Sequence, residues 1–177
     1  MANLQPEETL ESETAFSGKL IDVRRDTVRL PNGRTATREI VEHPEVVAIL
    51  PLLDDGRIVM VRQYRKAVDR ILLEVPAGGI DGEESPEDAV RREMKEETGY
   101  AVGEMERLTA FYTSPGFTTE YMYLYRAGRL TPGEPTEEND ELEVLHVSID
   151  EARRRARDGE IVDAKTLLAV WYAGHEM

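Results

Sequence analysis

Residues 78–100 read GGIDGEESPEDAVRREMKEETGY. Within them Ser85, Pro86 and Glu87 have the order of a helix start: a hydroxyl cap, a proline at the first helical position, then acids in the first turn. Gly99 reads as the stop, because glycine reaches left-handed dihedrals cheaply after a last helical turn. Ala89, Val90 and Met94 can face a core. Glu93 and Glu97 are four residues apart and share a face, with Glu96 beside them and Glu84 folding in from the preceding loop. Clustered carboxylates repel, so a helix gains nothing from them alone. Hard oxygen donors at this density suit Mg2+ or Mn2+, which would remove the repulsion. Arg92 then reads as a brace that orients a glutamate from behind. Taken without its flanking residues, an E-x-x-E-E run is more often a solvated acidic face.

The rest of the composition bounds the function. A chain of 177 residues is long enough for one self-sufficient core. Its 22 basic and 36 acidic residues give a net charge of −14, which argues against nucleic acid or an anionic membrane as the main partner. A phosphate substrate remains compatible, since bound cations and a few arginines reverse the field locally. There is no cysteine, so disulfides, zinc thiolates and thiol nucleophiles are all absent. No apolar run approaches membrane-spanning length, and the acidic N-terminal stretch is neither a secretory signal nor a transit peptide. The cytoplasm is the expected location.

Along the chain, residues 1–13 read as a disordered acidic tail. Residues 14–44 read as a small antiparallel sheet, with strands at 17–23, 26–30 and 35–42 and a turn at Pro31-Asn32-Gly33. Residues 45–177 form the main domain. Its strands are expected at 46–53, 57–64, 71–76, 105–113, 120–130 and 142–147, its helices after Ser85, over 149–157 and over 164–173. Strands interleaved with helices in this order give an α+β class with a curved mixed sheet between helices.

With Gly78, Glu84, Arg92, Glu93, Glu96, Glu97 and Gly99 in register, the opening stretch has the spacing G-x5-E-x7-R-E-U-x-E-E-x-G-U, U being bulky and apolar. It resembles the Nudix box, the metal-binding loop–helix–loop of the Nudix hydrolases. Seven fixed identities at background frequencies of roughly 1 in 15 match by chance on the order of 10⁻⁸ per window. Tyr100 stands where an aliphatic is usual. The resemblance implies an α/β/α sandwich and catalysis by Glu97, Glu93 and Glu96 with Arg92. It implies two or three Mg2+ per site, with Mn2+ able to substitute, held by Glu93, Glu97, Glu96, the Ala77 carbonyl and Glu84.

Other segments are similar to the ADP-ribose pyrophosphatase subfamily: Val61-Arg62-Gln63-Tyr64-Arg65, Leu73-Glu74-Val75-Pro76-Ala77-Gly78, residues 158–164, and Ser114-Pro115-Gly116, whose proline lies fifteen residues beyond Tyr100. That likeness implies a substrate site built from Arg65 first, then Arg62, Glu74, Ser114, Pro115, Gly116 and Glu120, with Glu39 and Glu42 near the adenine or ribose. It also implies a homodimer that exchanges its N-terminal sheets. The general base belongs to the loop 136–141 or to the box; in the loop Glu138 is the first choice and Glu141 the second. The implied reaction is hydrolysis of ADP-ribose to AMP and ribose 5-phosphate. GDP-mannose or another nucleoside diphosphate sugar is the alternative substrate, and a regulator that binds ADP-ribose without cleaving it the alternative class.

Overall fold

The computed structural model describes residues 5–134 and 142–174, in two compact units. One unit comprises the chain up to Glu45 together with Tyr112–Tyr121. It holds the antiparallel sheet β1(Glu8–Ser17)–β2(Asp22–Arg29)–β3(Thr35–Glu42). The expected disordered tail is corrected here: residues 8–13 belong to β1, although every residue of that strand is exposed. The ladder to β2 holds it, with charges complementary across the pair. Arg25 pairs with Glu13, Arg29 Nη1 meets Glu8 Oε2 at 2.9 Å, and Ser12 Oγ donates to Asp26 Oδ1 at 2.6 Å. The two short strands expected over 17–30 are the single strand β2. Its turn to β3 is the expected one, with Gly33 at φ 81° and its N–H on Leu30 O. The segment between 112 and 121 joins this unit through Val41, whose N–H donates to Phe117 O at 2.7 Å and whose carbonyl accepts from Thr119 N at 2.9 Å.

The other unit holds Val46–Phe111 and the chain from Met122 onward. Its strands divide between two sheets. One is mixed, in the order β7(Ala77–Gly79)–β4(Val46–Pro51)–β9(Tyr121–Gly128)–β8(Glu104–Tyr112), with β4 and β9 parallel. The other is antiparallel: β10(Leu142–Ser148)–β5(Arg57–Arg65)–β6(Arg70–Glu74). Strand β4 is buried throughout, as its unbroken apolar run predicts. Its alternate residues face opposite layers. Val47 and Ile49 pack with Ala89, Val90 and Met94 of α1(Pro86–Thr98). Val46, Ala48 and Leu50 pack with Ala152 of α2(Ile149–Arg157) and with Ala169 and Val170 of α3(Ala164–Ala173). The result is the expected α/β/α sandwich around a doubly covered strand. Each fully buried aliphatic or methionine contributes roughly 1.5–3 kcal/mol.

The box helix forms for the local reasons read in the sequence. Ser85 is extended, and its hydroxyl accepts from Asp88 N at 3.1 Å, a cap worth about 1 kcal/mol. Gly99 closes the helix at φ 77°, with its N–H on Lys95 O. The helix buries Ala89, Val90, Met94 and Thr98, and on the same side it buries Glu93. An acid in that stripe is the feature from which the site is built.

Candidate active site

Glu93 is 9% exposed, and its carboxylate lies against Gly78 of β7, in space that any Cβ at that position would fill. Burial raises the Glu93 carboxyl above its ordinary value, against the pull of Arg92. One turn on, burial pushes Glu97 up to about 7, helped by the charge of Glu93 and opposed by the Ala77 N–H, Arg65 and Lys165. The Ala77 N–H donates to Glu97 Oε2 at 3.3 Å. A buried acid and a partly buried one therefore stand side by side on one helix face.

Arg92 gathers the rest. Its Nε and Nη2 make a fork to Glu84 at 3.0 and 2.9 Å, its Nη1 meets Glu93 at 2.6 Å and Glu96 at 3.1 Å, and Nη2 donates to Gly79 O at 2.7 Å. One guanidinium thus ties the loop before the helix, through Glu84 and Gly79, to the helix glutamates Glu93 and Glu96. Glu84, bonded first by Arg92, is held below its ordinary carboxyl value, and Arg92 is raised in turn. Among the described residues no three acidic or histidine side chains already converge as a closed metal cage. The donor chemistry nevertheless fits a hard divalent cation. Carboxylates held near one another at the cost of their own ionisation are what such a cation would neutralise.

A second ionic cluster stands at the exit of β6. Glu74, 1% exposed, receives Arg65 Nε at 2.9 Å and Nη2 at 2.7 Å, and Lys165 Nζ at 2.5 Å. Burial works to raise the Glu74 carboxyl, but Arg65 and Lys165 outweigh it and hold it below its ordinary value. Asp163, the cap of α3, bonds Lys165 at 3.0 Å and Thr166 Oγ1 at 2.6 Å. Lys165 and Thr166 are absent from the residues expected at the site. Their signal was a lysine and a threonine on the first turn of a helix that is apolar beyond them.

The structure brings together Glu84, Arg92, Glu93 and Glu96, with Glu97 joined to Ala77, and it pairs Arg65 with Glu74. Arg62 is placed elsewhere: it is exposed on β5 and bonded to Glu143 at 2.8 Å. Ser114, Pro115, Gly116 and Glu120 lie in the other unit, where Thr113 Oγ1 donates to Glu120 Oε2 at 2.5 Å. Glu42 of β3 pairs with Arg24 at 2.8 Å, and Glu39 of the same strand is exposed. Glu138 and Glu141 fall outside the described residues.

Two family models match the sequence. The NUDIX domain model matches residues 42–169, and the nucleoside diphosphate sugar hydrolase N-terminal domain model matches residues 7–41.

The chain belongs to the Nudix family.

This Nudix chain is 43% identical over 169 residues to a protein of Bacillus subtilis (strain 168) named ADP-ribose pyrophosphatase, covering 94% of this chain and 91% of that one. It is 40% identical over 175 residues to a methanol dehydrogenase activator of Bacillus methanolicus, covering 97% and 95%. It is also 40% identical over 170 residues to a GDP-mannose pyrophosphatase of Salmonella arizonae (strain ATCC BAA-731 / CDC346-86 / RSK2980), covering 90% and 82%. A solved structure titled as an ADP compounds hydrolase superposes with a TM-score of 0.86 over 97% of this chain and 94% of that one, at 24% identity, which bears on the fold alone. The chain is a Nudix hydrolase of the nucleoside diphosphate sugar group, a family that uses divalent cations such as Mg2+. No helix among the described residues is long and apolar enough to cross a membrane.

Proposed function

We propose that this chain hydrolyses the pyrophosphate bond of ADP-ribose, releasing AMP and ribose 5-phosphate. The observation that carries the reading is the pair of carboxyls, buried Glu93 and partly buried Glu97, on the face of α1 that meets β7. The choice of ADP-ribose rests on the 43% identity to the B. subtilis protein of that name and on the R-Q-Y-R and S-P-G segments. Glu93, Glu97 and Glu96, with the Ala77 carbonyl, would hold two or three Mg2+, and Glu84 shapes the loop beside them. When bound, the cation neutralises the diphosphate and makes a bound water more acidic.

The chain's own groups do the remainder. Arg92 keeps Glu84, Glu93 and Glu96 in one array, so that little reorganisation is needed when substrate arrives. Arg65 is gripped by Glu74 through Nε and Nη2, and a diphosphate oxygen would be met by Nη1. Ser114, Pro115 and Gly116 shape the binding loop, and Glu120 would accept a hydrogen bond from the terminal ribose. Glu39 and Glu42 serve the adenosine end, supplied across a homodimer whose N-terminal sheets exchange. Glu138, or failing it Glu141, takes the proton from the attacking water at a carboxylate oxygen.

GDP-mannose is the second substrate reading, favoured by the 40% identity to the S. arizonae protein. Steady-state rates on both nucleotide sugars, in Mg2+ and again in excess chelator, test the proposal. Turnover that is undiminished by chelator overturns the cation reading.

A further inference from the structure

Four consecutive residues lead from β6 into β7, and each is held by a different partner. Glu74 is bonded by Lys165 Nζ at 2.5 Å. Val75 N–H donates to Thr166 Oγ1 at 2.9 Å. Pro76 O accepts from Ile49 N at 2.9 Å. Ala77 N–H then holds Glu97 Oε2 at 3.3 Å. Two of these four anchors come from the first turn of α3, 91 residues away in sequence. Thr166 is fully buried and Lys165 is 9% exposed.

A lysine is a costly choice for that place. Its charge is buried, and it stands at the positive end of the helix dipole. Packing alone would be served as well or better by an apolar side chain of similar volume. Thr166 is likewise more than a filler: its hydroxyl donates to Asp163 while accepting from Val75, which satisfies both groups. Lys165 holds the Glu74 side chain and Thr166 the Val75 N–H, and the stretch they hold leads to Ala77, whose N–H meets Glu97.

We infer that Lys165 and Thr166 are positioning residues for the candidate active site: from α3 they hold the Glu74 side chain and the Val75 N–H, so that the chain beyond presents the Ala77 N–H to Glu97. The inference rests on the reading of Glu97 as a cation ligand, and it adds the C-terminal helix to the machinery.

The test uses the full chain and the variants Thr166→Val, Thr166→Ser and Lys165→Met. Three quantities are read: thermal midpoint, Mn2+ affinity without nucleotide by electron paramagnetic resonance, and kcat and KM on a nucleoside diphosphate sugar that the wild type cleaves. Thr166→Val keeps the shape and removes the hydroxyl. It is expected to weaken Mn2+ binding about 10-fold or more and to lower kcat by a similar factor, with KM within about twofold. Thr166→Ser, which keeps the hydroxyl, restores both, and Lys165→Met falls with Thr166→Val. If Lys165→Met does not fold, the Thr166 pair decides. A Thr166→Val chain that melts earlier yet binds Mn2+ and turns over like wild type reduces α3 to a structural peg and overturns the inference. A lost kcat with intact Mn2+ affinity overturns it as well, because the effect would not run through Glu97. A wild type that binds Mn2+ but cleaves no nucleoside diphosphate sugar refutes the substrate reading, while the Mn2+ comparison still decides this one.

Discussion

Replacing Gly78 by alanine should separate stability from function in this enzyme. An ideal Cβ there lies 2.0 Å from Glu93 Cδ and Oε1 and 2.3 Å from Oε2. The backbone cannot retreat, because Gly78 is in register with Val47 of the buried strand β4. Nor does alanine strain the main chain, since Gly78 is not among the glycines with positive φ. The Glu93 carboxylate must therefore move. Reaching ordinary contact at 3.4 Å from 2.0 Å requires about 1.4 Å of displacement. A rotamer shift of that kind costs about 0.5–1.5 kcal/mol of stability, so the thermal midpoint should fall by only a few degrees, roughly 2–4 °C per kcal/mol at this size. The catalytic cost is larger. A misplacement of about 1 Å at a reacting centre costs on the order of 100-fold, or about 2.7 kcal/mol of transition-state stabilisation. Gly79→Ala is the matched control, because a Cβ there meets nothing within 4 Å. Thermal unfolding and kcat/KM on both variants make the assay. A Gly78→Ala enzyme at wild-type activity, or a Gly79→Ala enzyme equally impaired, would refute the placement of Glu93 as the cause.

Glu97→Gln should keep the fold and lose at least about 100-fold in kcat; unchanged turnover would remove Glu97 from the ligand set. Glu74→Gln leaves Lys165 buried beside Asp163 alone, and chemical denaturation should show a loss of about 3 kcal/mol near neutral pH. Because the folded Glu74 carboxyl is held below its ordinary value, its stabilisation is full above the unfolded carboxyl range and disappears as pH falls through the lower folded value. Wild type and Glu74→Gln should therefore converge in acid, and a gap that is constant with pH contradicts the ion-pair account. Light scattering should give about twice the 20.0 kDa chain mass, since β1 is exposed along its length and Phe16 and Leu20 remain open on this unit; a fully active monomer at assay concentration ends the shared-site proposal.

The legible parts of this molecule were those written in local sequence. The box helix starts and stops at Ser85 and Gly99 because cap chemistry acts over a few residues. Strand β4 was readable because a doubly covered strand must be apolar on both faces. Strand β1 was not, because it is exposed along its length and no burial pattern marks it; its ladder to β2 places it. Within the site, Glu93 and Glu97 were legible from their spacing. Arg92 was read as a brace, but its fork to Glu84 and reach to Gly79 depend on how the loop folds back. The Lys165–Glu74 and Thr166–Val75 bonds were illegible because they join positions that only the tertiary fold brings together. Arg65 was expected to face substrate, and the structure shows the carboxylate that holds it, a partner that strand alternation cannot specify.

The proposed activity is that of a cation-dependent pyrophosphatase that prefers ADP-ribose. Its most direct measurement is kcat/KM for ADP-ribose and GDP-mannose side by side in Mg2+, with the products identified. A clear preference for ADP-ribose is expected, with AMP and ribose 5-phosphate formed in equal amounts. A clear preference for GDP-mannose would contradict it.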